Sequence, residues 1–107
     1  MIARTWRGWT TTADAATYLA YLERTGLAEY RATEGNRGAM ALLRAEGDST
    51  EFLLISFWDS MDAVRRFAGD DPERAVFYPE DDRFLVQREL HVSHYDLLSG
   101  DAVPGRG

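Results

Sequence analysis

The run Phe52-Leu53-Leu54-Ile55-Ser56-Phe57-Trp58 constrains this chain more than any other segment. It is almost continuously apolar, rich in branched and aromatic side chains, and set between Glu46-Gly47-Asp48-Ser49 and Asp59-Ser60. Such a run forms a strand, here over Thr50–Trp58, and the turn before it closes a hairpin with a strand over Ala39–Ala45. A strand with apolar residues at consecutive positions needs cover on both of its faces. The 107 residues suit one domain with a single core. Whatever covers the second face of the sheet must therefore be looked for outside a simple two-layer domain.

The segments on either side supply the first cover. Residues 2–10 read as an opening strand carrying Trp6 and Trp9. Thr11, Thr12 and Asp14 offer cap and first-turn chemistry, and Ala15, Leu19 and Leu22 then recur at helical spacing. Gly26 interrupts that pattern, and Leu27–Arg31 adds a further helical turn. Gly35-Asn36-Arg37-Gly38 reads as a turn into the hairpin. Asp59-Ser60 caps a second helix with Met61, Val64, Phe67 and Ala68 on one stripe, and Gly69 stops it. Asp71-Pro72 predicts one more short helical turn. Residues 84–98 predict a long last strand, and Ser99–Gly107 a frayed tail. The order is β-α-β-β-α-β, an α+β ferredoxin-like arrangement with an antiparallel sheet over residues 1–98. One layer of helices covers one face of that sheet. Leaving the large side chains of the other face in water forfeits about 1.5–3 kcal/mol for each, so a homodimer packed sheet to sheet is expected.

Composition removes several chemistries. No cysteine is present, which excludes disulfides, thiolate metal sites and a cysteine nucleophile. All twelve basic residues are arginine, so Schiff-base chemistry and a P-loop lysine are absent as well. A net charge of −6 argues against nucleic acid as a partner. No apolar run is long enough for a membrane span, and Met1 leads straight into Ile-Ala-Arg-Thr-Trp without a secretory signal. The cytoplasm is the expected compartment.

Particular residues then narrow the class. The opening strand Met1–Trp9, the sequence Phe57-Trp58-Asp59-Ser60 followed by Ala63-Val64-Arg65-Arg66-Phe67-Ala68-Gly69, and the closing His94-Tyr95-Asp96 resemble the antibiotic-biosynthesis-monooxygenase-like domains. The resemblance implies a dimeric α/β barrel, in which two sheets pack face to face. It implies one of several activities: cofactor-independent oxidation of aromatic polyketides, haem binding and degradation, or ligand binding without catalysis. Haem-degrading members carry a tryptophan on the second helix and a haem-ligating histidine shortly after it. Phe67 and Phe77 or Tyr78 stand at those places here, so no haem or other cofactor is expected. The polyketide oxygenases carry a tryptophan matched by Trp58 and an asparagine whose place is taken by Leu54.

Candidate site residues follow. His91 and His94 are the only side chains with ordinary pKa values near neutrality, and three-residue spacing on a strand points them to opposite faces. Pairing Ile2 near Leu98 would set Trp6 opposite His94, making His94 a general base beside an aromatic wall of Trp6 and Trp58. The alternative is a hydrogen-bonded core or interface histidine, with the three tryptophans as core. Arg4 shares the strand phase of Trp6 and would hold an anionic substrate, or be satisfied by Asp96 on the neighbouring strand. Tyr18, Tyr21, Phe67 and Tyr78 would line the pocket, or simply pack. Glu80-Asp81-Asp82 lacks the spaced ligands of a metal loop and reads as a solvated turn. The expected function is a cofactor-independent monooxygenase-like enzyme acting on an aromatic or polyketide-type metabolite. A non-catalytic binding or accessory protein is the alternative.

Overall fold

The hairpin around Gly47 organises the sheet. In the computed structural model, which describes residues 1–100, β2 (Asn36–Glu46) and β3 (Ser49–Trp58) pair antiparallel, and β1 (Ile2–Thr11) lies on the other side of β3. The turn glycine has φ of 60°, the left-handed region where a side chain is strained. Thr12 fastens the end of β1 to this turn, its N–H donating to Asp48 O at 2.7 Å and its hydroxyl to Gly47 O at 2.8 Å. The sheet order is β2-β3-β1, followed by a last strand in two pieces, β4 (Gln87–Arg88) and β5 (Ser93–Asp96). This is the ferredoxin-like order, antiparallel throughout and open at both edges. The last seven residues of the expected tail lie outside the described residues.

The helices lie where the cap and stripe residues place them. A short 3-10 turn, capped by Thr11 Oγ1 accepting from Asp14 N–H at 3.2 Å, leads into α1 (Ala15–Arg24). α2 (Gly26–Ala32) follows after a break at Thr25. Ser60 Oγ accepts from Ala63 N–H to start α3 (Met61–Ala68), and Gly69, with φ of 86°, ends it. A single turn, α4 (Asp81–Phe84), precedes β4. Among the described residues no helix is long and apolar enough to cross a membrane.

Strand phase sorts the apolar run into two sets. Phe52, Leu54 and Trp58 are buried beneath the helices with Trp6, Tyr18, Leu22, Leu27, Tyr30 and Val64. Much of that core is aromatic: Tyr30 meets Phe67 edge-on at 4.7 Å and Trp58 at 5.9 Å, and Tyr18 meets Phe52 at 5.1 Å. Leu53, Ile55 and Phe57 point to the other face and are only half-buried. Trp9 shares that outer phase and is half-exposed rather than a core residue.

Three local expectations change. The Asn36 end of the predicted turn is already strand, with a bulge between Asn36 and Gly38 that the Asn36 amide secures. Asp71-Pro72 starts a turn closed by Arg74 N–H on Asp71 O, not a helix. The last strand is not continuous over 84–98. Gly8 pairs with Arg88 and Thr5 with Ser93, so Glu89–Val92 stand opposite Trp6 and Arg7 alone, two residues in excess. One large side chain and one backbone pairing accompany the break. The Trp6 ring lies over Gly8, and its indole N–H donates to Glu89 O at 2.7 Å. Leu90–Val92 leave β1 and pair with residues 73–75 through Ala75 N–H on Leu90 O and Val92 N–H on Glu73 O. At the end of the strand Ile2 pairs with Asp96 instead of Leu98, so Arg4, not Trp6, is the cross-strand partner of His94.

A Cβ at Gly8 would overlap the Trp6 ring and crowd Leu85. Gly8→Ala should therefore cost about 1–3 kcal/mol, the usual range for forcing atoms into a packed core. Urea unfolding measures it; an unchanged midpoint would show that the indole is not seated over this glycine.

Candidate functional site

Between the helix-side face of the sheet and α1, α2 and α3 lies a narrow cavity of about 20 Å³, room for about one water molecule. β1 contributes Arg4 and Trp6, β3 contributes Leu54, and the helices contribute Tyr18, Leu22, Tyr30 and Phe67. The irregular segment between α3 and α4 covers it with Ala75, Val76 and Tyr78, and Asp81 closes one end. Five of the expected residues, Arg4, Trp6, Tyr18, Phe67 and Tyr78, are thus brought together.

Arg4 is the cation of this cavity. It is 3 % exposed, and burial holds its pKa below the ordinary arginine value while the charge persists. Its Nη2 donates to Pro72 O at 3.3 Å and Arg74 O at 3.2 Å, and its guanidinium lies 5.5 Å from the centre of the Phe67 ring. Asp96 does not satisfy it. That carboxylate sits opposite Ile2 at the exposed end of β5. The Tyr30 hydroxyl lies beside the guanidinium; burial raises the Tyr30 pKa and Arg4 pulls it back.

Asp81 is the acid of the cavity, and its place corrects the reading of Glu80-Asp81-Asp82 as a solvated turn. At 3 % exposure it is buried, because α4 begins there and turns the residue inward. Oδ1 accepts from the Tyr18 hydroxyl at 2.9 Å and Oδ2 from Tyr78 N–H at 2.6 Å. Burial nonetheless holds its carboxyl above the usual carboxylate range. Tyr18 in turn is pushed well up, by burial and then by the Asp81 charge.

The other candidate groups lie outside the cavity, or, as with the Tyr78 hydroxyl, point away from it. Trp58 is fully enclosed behind Tyr30 and Phe67, its indole N–H donating to Ser56 Oγ at 2.8 Å. The Tyr21 hydroxyl accepts from Glu80 N–H at 3.0 Å and does not reach the cavity. The Tyr78 hydroxyl donates to Glu29 Oε2 at 2.7 Å on the outside while its ring covers Gly26. His94 shares the sheet face of Arg4 but sits in an open depression with Glu73, Ser93 and Tyr95; burial and then Arg4 lower its pKa. The Asn36 amide is spent on Phe57 O and the bulge. Among the described residues no three His, Asp or Glu side chains converge as a metal site requires. Tyr30 and Asp81 were not legible as site residues: the first looked like one more helix aromatic, the second like the middle of an acidic turn.

Solved structures share this architecture, two of them as follows. One is a Bacillus cereus protein provisionally named an antibiotic biosynthesis monooxygenase: TM-score 0.66, 13% identity, 95% of this chain and 97% of that one. The other is Rv0793 from Mycobacterium tuberculosis: TM-score 0.63, 20% identity, 94% of this chain and 98% of that one. No family model matches the sequence, and no curated protein is significantly similar to it. At these identities what is shared is the fold, an α+β arrangement of helices on one antiparallel sheet.

A raised carboxyl pKa means that the folded chain binds the Asp81 proton more tightly than the unfolded one. Its contribution to stability therefore falls as pH rises from the unfolded value through the raised folded one. Tyr18→Phe removes one of two donors from the ionised group and should cost about 1.5–3 kcal/mol at pH 7. The cost should shrink in acid, where Asp81 is neutral. Equal costs in urea titrations at both pH values would mean that the hydroxyl does not feel the Asp81 charge.

Proposed function

We propose that this chain is a small homodimeric enzyme that binds an aromatic or otherwise apolar metabolite between sheet and helices and oxygenates it without a bound cofactor. The observation that carries the reading is the cavity itself, whose largely apolar lining includes a buried cation, Arg4, and a buried acid with a raised pKa, Asp81. The cavity is closed around a water-sized space, so a ring-sized ligand enters by displacing the irregular segment at Ala75–Tyr78. A phenol or activated methylene bound there loses a proton to Asp81, whose raised pKa suits it to accept one. The resulting phenolate or enolate is held by Arg4 and is itself the reductant for dioxygen. For an activated methylene, a C–O bond forms and loss of water leaves a carbonyl, so that CH2 and O2 give C=O and H2O. Trp6 is a wall in this scheme, its N–H already committed to Glu89.

One observation favours a second reading, a ligand-binding protein without turnover: neither histidine lines the cavity. Oxygen uptake and product mass, measured with a panel of naphthols and anthrones, separate the two. Uptake by the wild type that drops at least tenfold in Asp81→Asn is expected from an enzyme that uses this acid. Compounds that bind without any oxygen consumption would leave the chain a carrier.

The dimer rests on the outer face of the sheet. Met40 and Leu42 of β2, Leu53, Ile55 and Phe57 of β3, and Tyr95 of β5 lie there, and no helix of this chain covers them. Leu42 is 44% and Tyr95 59% exposed. A contiguous patch of this kind is covered by a second sheet in a self-complementary pair. Sedimentation equilibrium at micromolar concentration should give a dimer, and Leu53→Asp a folded monomer. A wild-type monomer with a cooperative melt would refute the pairing.

A further inference from the structure

Two buried side-chain polar atoms among the described residues lack any hydrogen-bond partner, Nε of Arg4 and Nε2 of His94. They belong to one cross-strand pair, since Arg4 on β1 stands directly opposite His94 on β5. Buried polar atoms are almost always satisfied, and two orphans on adjacent residues are the signature of a place that something else fills. Arg4 also has no ion pair among the described residues. Its two acceptors are neutral carbonyls at 3.3 and 3.2 Å, longer than the usual distance from a guanidinium to an anion. A partner subunit on the outer sheet face cannot supply the missing charge, because Arg4 points the other way, toward the helices.

We infer that the Arg4–His94 pair is the seat of an oxyanion, and that the cavity takes an apolar ring bearing one delocalised negative charge. This rests on the reading that the cavity is the ligand site. A carboxylate, phenolate or enolate oxygen accepts from Arg4 Nε; the buried Nε2 of His94, which lies outside the cavity wall but across the strand pair from Arg4, adds a second donor in its Nε2–H tautomer without adding charge. The Tyr30 hydroxyl beside the guanidinium is a third group in reach of the same anion. The apolar body then lies against Trp6, Leu54 and Phe67. Anion binding substitutes for the long bonds to Pro72 O and Arg74 O, so the seat and the covering segment compete for one guanidinium. Neutral aromatics gain the walls but leave both orphans unpaired, and selectivity for charge follows.

Calorimetric titration of the full chain with 1-naphthoate and with its neutral isostere 1-naphthamide is the test. A second arm uses 2-naphthol on either side of its own ionisation and separates carboxylate from phenolate as the source of the charge. The wild type should prefer naphthoate by about tenfold or more, the ratio expected of one or two charge-assisted hydrogen bonds. Arg4→Met should abolish the preference and His94→Leu reduce it, with circular dichroism reporting that each variant is folded. The wild-type comparison stands alone if Arg4→Met does not fold. Equal binding of both compounds overturns the oxyanion seat and leaves the cavity as a ligand site. Binding of neither overturns the cavity reading and this inference with it. A preference that survives Arg4→Met places the anion elsewhere and overturns the assignment. Loss in Arg4→Met with no change in His94→Leu removes His94 from the seat.

Discussion

The indole of Trp6 decides how the final third of this chain runs. Its ring takes the space over Gly8 and its N–H holds Glu89 O, and the last strand cannot pass straight across it. Leu90–Val92 turn instead to the segment after α3, whose backbone would otherwise be unpaired. That pairing draws Pro72 and Arg74 over Arg4 and brings Ala75–Tyr78 down as the cover of the cavity. One aromatic side chain thus links the sheet register, the position of the cover and the surroundings of the buried guanidinium. A smaller residue at position 6 would leave room for an unbroken strand and remove the reason for the cover to sit where it does.

The order of elements was legible in the residues because each carries its own local signal. Thr11 and Ser60 cap the helices they precede, Gly69 stops α3 in a conformation that favours glycine, and Gly47 makes the hairpin. What failed was pairing at a distance. Nothing in Val86–Leu98 marks a break, since Glu89–Val92 has no glycine or proline and its residues suit a strand. The break is imposed from β1, eighty residues earlier, by the volume of one side chain. The expected register, set by pairing Ile2 with Leu98, misses by two, which keeps Arg4, Trp6 and His94 on one face while giving His94 the wrong neighbour.

The site was legible in part for the same reason. Strand phase brought Arg4 and Trp6 to one face, and helix stripes brought Tyr18 and Phe67 toward it. Asp81 escaped because sequence places it among charged neighbours, whereas the turn of α4 separates it from both: Glu80 pairs with Arg83 and Asp82 with Arg88 outside, and Asp81 alone goes in. Trp58 was overvalued. Size and position at a strand end made it conspicuous, but the packing of Tyr30 and Phe67 in front of it leaves no path to its ring.

The strand that first fixed the fold has two audiences. Phe52, Leu54 and Trp58 answer to neighbours within the chain, and any change there is judged by the core. Leu53, Ile55 and Phe57, one step out of phase, lie half-buried on the sheet face turned away from the core. Drift at the inner positions is restrained from within the chain, by the core and, at Leu54, by the cavity it lines. Drift at the outer ones is restrained only by whatever lies beyond the sheet. Aligned descendants of this sequence would therefore carry a record of that outside surface in every second residue of one strand. Held apolar, those positions testify to a constant neighbour; freed to become polar, they date its loss.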